Sequence, residues 1–599
     1  MMFKHTILFS RQANPGFGGM ESHQIALTQQ CPIMVTGNGN YQVNGSVRIN
    51  SLPTFHQLLD FLYDIVERKH ISVFFFNDLG FITVIEKLKK TFPHIKFILR
   101  SGGNDLYRAP VNNDYIGLTD RQHYICTIIN RYFDTLIVNS DYSYLRSFKL
   151  GISPKLMKKI RGGVGYINQT NSELGILSDR QTFRGLYGKG RLILVFACRM
   201  KKFKGIKEFL DLFASYPQRQ KFFLVFVGTG DQLSIIQSNI IANDMDEQCL
   251  FLGELSYCDS LRIISFADYL VNPSIEEKRI YNDESYIHTE TMGRSMMEAV
   301  SQHIPLIATN VGGTREIFDE CKDVGYLIGE PYGLHEILDQ ILLDPKRYTP
   351  MACNYSWKEV FNQYKLIVTP PKKHVLVLDL DDTILHHGED IAEVKRLLNI
   401  KRSKFYLIIN TARSYDEHLK KLADYLMTDY CIANNGSHIY SMKPTRWNDC
   451  SFLYDQIRQE TDDIFCAIKC IFIDCEVKKT QNHIIQLRFI NEIQPNDIQR
   501  IERLLKGTTF EYINNTHLMK VYSKYISKGA ALLFVLKNLF YDKVYGAGNS
   551  LNDCIFLKYA DYIWLSDKLK GVKFTKTHIT YFGEEEVGIK LLSNILKKI

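Results

Sequence analysis

Short, uninterrupted apolar runs recur along this chain of 599 residues, each closed by a glycine-rich or polar turn and followed by a helix-like stretch. HTILFS, ISVFFFND, KFILRSGG and TLIVNS form a first series; LILVFACR, FFLVFVGTG, LFLG, DYLVNPS and IPLIATNVGG form a second. A strand that is apolar along its whole length has to be buried on both faces, the condition of a parallel strand in a sheet covered by helices. The chain is therefore expected to be α/β, and two such series predict two doubly wound domains. Their join is expected near Gly185, giving domains over 1–185 and 186–350. A third series follows Pro370 and Pro371: HVLVLDLDD, FYLIINTARS, DYCIANNG, KVYGAGNS and DYIWL. It predicts a further α/β domain over 371–599, with 351–370 as a last helix and linker. HIIQLRFI and FEYINNTHLMKVY alternate more, so an inserted α+β subdomain is expected at about 438–525.

Composition narrows the partners. With 73 basic and 65 acidic residues the net charge is +8, a mild bias that suits an ordinary solvated surface first, and also anionic substrates or peripheral contact with a membrane surface. It lacks the dense basic stripe of a nucleic-acid binder. Thirteen cysteines show no C-x-x-C pair, so neither a zinc site nor a disulfide framework is expected. The start MMFKHTILFSRQ falls short of a signal peptide and no apolar run reaches membrane-spanning length, so a cytoplasmic protein is expected.

Polar residues cluster where the apolar runs end. GFGGMESH follows the first strand and precedes a helical stretch, and Gly18 and Gly19 there would let backbone amides approach a phosphate. In FACRMKKFKG, Arg199 and Lys204 follow the first strand of the second series. Two cations at that place can neutralise a leaving diphosphate, the main electrostatic demand of transfer from a nucleotide sugar. ETMGRSMMEAV puts Glu290 and Glu298 eight positions apart, slightly over two helical turns, with Gly293 between them. Glu290 is expected in a loop at a helix N-terminus and Glu298 on that helix, where carboxylates suit sugar and ribose hydroxyls. GGTRE at Gly312–Glu316 adds another glycine turn before a helix. Taken singly, each of these features also suits a solvated loop or an exposed helix; the ordered set points to a donor site.

Asp379 ends the strand of VLVLDLDDT and Asp381 follows two residues later, so both can reach one phosphate, Asp379 as nucleophile and Asp381 as acid toward the leaving oxygen. A dianionic phosphate beside carboxylates needs a cation, which implies Mg²⁺ held by oxygen ligands. Thr411 closes the next strand with a hydroxyl suited to a phosphate oxygen, Lys528 in SKGAALLFV supplies positive charge, and Asp553 in GAGNSLND can hold the metal. His386 and His387 are read as surface residues.

The order GGMESH, NSDYSYLRSFKLGI, FACRMKKFKG, VGTGD, NPS, ETMGRSMMEAV and NVGGTREI resembles the retaining GT-B glycosyltransferases of family 4 over roughly the first 365 residues. The resemblance implies a nucleotide-sugar donor whose diphosphate meets Arg199 and Lys204. It sets Glu290 at the transferred sugar, Glu298 at the ribose, and Gly18, Gly19 and Gly293 along the donor cleft. SWKEVFNQY resembles that fold's last helix, which crosses back to the N-terminal domain. Two departures stand out. RSGGND replaces a usual histidine–glycine pair, leaving Asp105 as a candidate sugar contact. IEEKRIYNDESYIHT is unusually long, either an acceptor-side loop or a tolerated surface insertion.

DLDDT, TARS, SKGAAL and GNSLND, in that order, resemble the haloacid-dehalogenase (HAD) superfamily over about 372–599. The insertion between the second and third motifs resembles a C2-type cap, as in sucrose-phosphate phosphatases, and Arg413 would lie at the phosphate end of the cleft. Where relatives carry a magnesium-binding aspartate, this chain has Asn549, which keeps a carbonyl oxygen but removes one negative charge and lowers metal affinity. Together the two resemblances imply a bifunctional enzyme of the sucrose-phosphate synthase type, or a transferase for a surface polysaccharide or glycolipid. They leave open a phosphatase-like domain that only senses or binds.

Overall fold

The computed structural model describes residues 3–12, 19–31, 33–38, 47–49, 55–107, 118–165, 179–281, 283–329, 333–350, 355–386, 390–414, 416–442, 445–449, 452–480, 483–574 and 578–599. It divides into two compact units, Met1–Val368 and Thr369–Ile599.

The first unit holds two parallel sheets. Strands β1 (Thr6–Gln12), β2 (Ile33–Asn38), β3 (Val47–Ile49), β4 (Val73–Phe76), β5 (Lys96–Arg100), β6 (Thr135–Val138) and β7 (Met157–Lys159) lie in the order β3-β2-β1-β4-β5-β6-β7. Its centre is packed with aromatic rings; Phe9 stacks on Phe76 at 4.6 Å, and Phe76 meets Phe133 edge-on at 5.5 Å. The second sheet contains β8 (Leu192–Ala197), β9 (Phe222–Val227), β10 (Cys249–Gly253), β11 (Tyr269–Asn272), β14 (Leu306–Thr309) and β15 (Gly325–Ile328), in the order β10-β9-β8-β11-β14-β15. Along β8, Ile193 and Val195 enter one core while Leu194 and Phe196 enter another. Strand residues point alternately to the two faces, so a core on each side requires an uninterrupted apolar run.

Phe183 is already buried in the second sheet's core, so the chain has passed to that half before Gly185. The helix Trp357–Val368 packs on the first half: Phe361 meets Phe3 edge-on at 6.3 Å, and Lys96 Nζ donates to the Ile367 carbonyl at 2.6 Å. The halves are also joined by a half-buried ionic cluster centred on the buried Arg161. Arg161 donates to Glu316 at 2.9 Å and to Glu320 at 2.8 Å, and Lys159 reaches Asp141 at 3.0 Å and Glu320 at 3.3 Å. Glu316 also accepts the amides of Asp141 and Tyr142, both at 2.8 Å, at the start of the helix Asp141–Lys149.

In the second unit β16 (His374–Leu378), β17 (Phe405–Asn410), β18 (Tyr430–Ala433), β19 (His438–Met442), β20 (Thr445–Asp449), β25 (Val544–Gly548), β26 (Tyr562–Ser566) and β27 (His578–Phe582) form one sheet, ordered β20-β19-β18-β17-β16-β25-β26-β27. Leu376 and Leu378 face one core, Val375 and Val377 the other. The insertion is an antiparallel sheet of β21 (Cys475–Thr480), β22 (Ile484–Phe489), β23 (Phe510–Asn514) and β24 (Leu518–Ser523) with helices Phe452–Ile471 and Pro495–Leu505. It begins later than expected: β19 and β20 pair antiparallel on the edge of the main sheet and belong to it.

Ten described cysteines are free, and Cys321 is disulfide-bonded. No helix among the described residues is long and apolar enough to cross a membrane.

Arg161 has 8% of its side chain exposed and faces two carboxylates. Replacing it with methionine leaves their charge buried, and Arg161→Met should destabilise the first unit by about 3 kcal/mol, read as a lower urea midpoint for that unit's transition.

Candidate active sites

The loops leaving β8, β11 and β14 interlock around Glu290. Gly205 has φ +64°, and a Cβ there would stand 1.9 Å from the Pro273 carbonyl oxygen. Beside it, the Ile275 amide donates to the Phe203 carbonyl at 2.8 Å. Gly312 has φ +57°, and its Cβ would stand 1.8 Å from the Glu290 carbonyl oxygen, which accepts the Gly313 amide at 3.0 Å. Both turns demand a residue without a side chain, and together they hold the ETMG segment.

Lys204 and the Glu290 carboxylate form an ion pair, and the Gly293 amide donates to the other Glu290 oxygen at 3.1 Å. Burial alone would raise the Glu290 pKa; the Lys204 charge and the Gly293 and Met292 amides outweigh it and hold the carboxyl below its ordinary range. Lys204 is raised for the matching reason, Glu290 prevailing over burial. Arg199 is exposed, and its charge acts on Lys204.

Glu298 is buried on the helix Arg294–Val300, and Arg294 donates to it at 2.9 Å. The same guanidinium lies 5.0 Å from the Tyr257 ring centre. Burial raises the Glu298 pKa against the pull of Arg294 and Tyr257. Arg294 went unnoticed in the sequence although it stands one helical turn before Glu298, the spacing at which helix side chains meet.

Gly18 lies outside the described residues; Gly19 opens the helix Gly19–Thr28. Asp105 accepts Ser101 Oγ at 2.6 Å, its other oxygen is buried without a hydrogen bond, and burial holds its pKa above the usual value. His23, unassigned in the sequence, shares a 2.6 Å hydrogen bond with the Tyr364 hydroxyl. Burial first, then Arg100 and Arg294, keep it neutral.

The long IEEKRIYNDESYIHT stretch is a hairpin of β12 (Glu277–Tyr281) and β13 (Glu284–His288). Glu284 accepts the amide of Thr119 at 2.9 Å and also its hydroxyl. Arg146 donates to the Ile287 carbonyl and, at 2.8 Å, to Asn104, whose amide reaches the Thr289 carbonyl at 2.9 Å. The hairpin therefore bridges the two halves of this unit beside Glu290.

In the second unit, Lys528 joins two carboxylates, with Nζ 2.8 Å from Asp379 and 2.6 Å from Asp553. All three are buried. Lys528 opens the helix Lys528–Leu536, whose N-cap Ser527 accepts the Ala530 amide. The second Asp553 oxygen accepts the Ser550 amide and hydroxyl, both at 2.8 Å, and the Asn549 amide at 3.1 Å, which fixes the GNSLND turn. Burial and then Asp553 push the Asp379 pKa up, against Lys528. Lys528 stays charged because the two carboxylates outweigh its burial.

Asp381 is more exposed and is gripped by Arg413, with Nε 3.0 Å from Oδ2. Asn549 Nδ2 donates to the Asp381 carbonyl at 3.0 Å. Thr411 is fully buried and its hydroxyl accepts the Arg413 amide at 3.2 Å, while Thr383 Oγ donates to Asp379 at 3.4 Å. His386 is exposed beside Asp382, and His387 lies outside the described residues. Lys520, not singled out in the sequence, donates from β24 to Asn552 Oδ1 at 2.8 Å; burial pushes its pKa down to about 8, with Asp553 acting in the opposite sense. Among the described residues no three acidic, histidine or cysteine side chains converge as a metal cluster, since Lys528 stands between Asp379 and Asp553 and Arg413 holds Asp381. The donors on offer are nonetheless all oxygens, the set a hard divalent cation takes.

The first unit carries a segment of a glycosyltransferase family and the second a segment of a sugar-phosphate phosphohydrolase family. Residues 179–355 match the family Glycosyl transferases group 1, and residues 372–558 match the family Sucrose-6F-phosphate phosphohydrolase. Over 175 residues the chain is 23% identical to N-acetyl-alpha-D-glucosaminyl L-malate synthase of Bacillus anthracis, covering 29% of this chain and 42% of that protein. The chain thus spans less than half the length of that curated relative. Among solved structures it is similar to HepE of Anabaena in complex with UDP-glucose, with 17% identity, 61% of this chain and 99% of that one covered, and a TM-score of 0.47. It is also similar to the sucrose-phosphatase of Synechocystis sp. PCC6803, with 18% identity, 38% and 98% covered, and a TM-score of 0.28.

A methyl group at Gly312 would collide with the Glu290 backbone. Gly312→Ala should therefore lower sugar transfer by roughly 100-fold or more and leave phosphate release by the second unit unchanged, checked by assaying the two reactions separately.

Proposed function

We propose that the first unit transfers a hexosyl group, with retention, from a nucleotide-sugar donor to an acceptor carrying a phosphate, and that the second unit removes that phosphate. The observation that carries this reading is the joining, in one chain, of a group 1 glycosyltransferase domain to a domain of the sucrose-6F-phosphate phosphohydrolase family. A hexose phosphate is the acceptor this pairing favours. Lys204 and Arg199 neutralise the departing diphosphate; Glu290 faces the transferred sugar, Glu298 the ribose, and Gly18, Gly19 and Gly293 line the donor cleft. The Lys204–Glu290 pair supports this, because a largely enclosed, preformed cation is the kind of group that stabilises charge developing on a leaving group.

In the second unit Asp379 attacks the phosphorus and the ester oxygen departs with a proton from Asp381. Water then releases phosphate from Asp379, giving its proton back to Asp381. Thr411 and Lys528 hold the phosphate oxygens. Asp379, Asp381, Asp553 and Asn549 would hold Mg²⁺, which supplies positive charge against the phosphoryl group. A second reading, in which this unit binds a phosphorylated product without cleaving it, draws on the Arg413 grip on Asp381 and on Asn549.

Mass spectrometry separates the two. Purified protein with Mg²⁺, a nucleotide-sugar panel and phosphorylated or plain acceptors is compared with Asp379→Asn. The variant should accumulate a glycosylated phosphate that the wild type converts to a neutral glycoside. The same phosphorylated product from both would make the second unit a binding module.

A further inference from the structure

We propose that Lys520 is a third cation of the phosphatase site, delivered by the inserted sheet, and that it leaves the site without net charge so that Mg²⁺ and phosphate bind as a pair. The proposal rests on reading the second unit as a Mg²⁺-dependent phosphatase.

The placement of Lys520 follows from strand alternation. Met519 and Val521 are buried in the insertion's own core, so Lys520 and Tyr522 face the opposite way. On that face Tyr522 packs with Ile555, and its hydroxyl lies 3.0 Å from the Lys558 ammonium, on and just beyond the helix Leu551–Leu557. Lys520 meets the start of the same helix at Asn552, the residue before Asp553. Its one hydrogen-bond acceptor among the described residues is that neutral amide oxygen. Asp553 cannot satisfy it, since one of its oxygens is taken by Lys528 and the other by three donors of the Asn549–Ser550 turn. A partly buried ammonium with only an amide to accept from it is poised for an anion.

Charge then decides the order of binding. Before a phosphate ester brings a proton to Asp381, the three carboxylates of Asp379, Asp381 and Asp553 face three cations, Lys528, Arg413 and, beside Asp553, Lys520, and Asn549 adds no charge. A divalent cation entering alone finds no net attraction to offset its lost hydration, and a phosphate dianion is in the same position. Together they attract each other strongly at close range, and the gain is reciprocal. Lys520 thus opposes the metal and favours the phosphate. Removing its charge has to move the two affinities in opposite directions, whereas local damage to the fold would weaken both.

Isothermal titration of the full chain with Mg²⁺, with inorganic phosphate, and with each in the presence of the other reads this directly. In the wild type, phosphate should tighten Mg²⁺ by about tenfold or more, and the reverse. Lys520→Met should bind Mg²⁺ alone about tenfold tighter and phosphate about tenfold weaker. Asn549→Asp should shift both in the same senses, and Lys520→Arg should keep the wild-type values. Weakening of both ligands by Lys520→Met, no change in either, or wild-type Mg²⁺ affinity indifferent to phosphate overturns the proposal. No Mg²⁺ binding even with phosphate present overturns the phosphatase reading along with it.

Discussion

The central strands of the three large sheets are packed on both faces, and this constraint organises the remainder of the molecule. A strand such as Ile193–Phe196 sends alternate residues into two separate cores and has no face left for a polar group. Buried backbone is satisfied by the neighbouring strands, so side-chain chemistry is displaced to the strand ends. In an open parallel sheet the crevice beyond the carboxyl ends is where loops can converge. Arg199, Asn272, Asp379 and Thr411 all stand at or just beyond such ends.

Both sites then meet the same electrostatic problem in the same way. A charge close to a double-layered core is costly unless paired, and each site pairs it with a lysine from a different loop: Lys204 with Glu290, and Lys528 with Asp379 and Asp553. The pairs hold their geometry because the turns around them leave little freedom. Gly205 and Gly312 touch carbonyl oxygens, and the GNSLND turn is fixed by three bonds to one Asp553 oxygen. Groups held in place in this way need little rearrangement when a ligand's charge develops.

Architecture was legible because the signal for it is local. An apolar run of five or six residues reports its own burial, and DLDDT or the E-x7-E element keeps its spacing within a single loop and helix. Pairings between distant segments leave no such trace. Lys204 and Glu290 are 86 residues apart, Arg161 and Glu316 are 155, and no periodicity links them. Lys520 was hidden for a subtler reason: in an alternating strand a polar residue reads as solvent-facing, yet here that face is covered by a helix. Arg294 was the nearest miss, since its turn spacing from Glu298 was visible in the motif itself. The insertion's edge left no such trace either, since the pairing of β19 and β20 with the main sheet is a contact between segments and not a pattern within them.

The β12–β13 hairpin makes the two halves of the first unit mechanically dependent. Its last residue, His288, stands two positions before Glu290, and its ring lies edge-on to Phe203 at 4.6 Å, next to Lys204. The other side of the hairpin is fastened to Thr119 and Arg146 of the opposite half. Any parting of the halves must therefore either break those fastenings or pull on the segment that positions the Lys204–Glu290 pair. The strap works as a tie-rod: strain applied between the halves is carried directly to the Lys204–Glu290 pair.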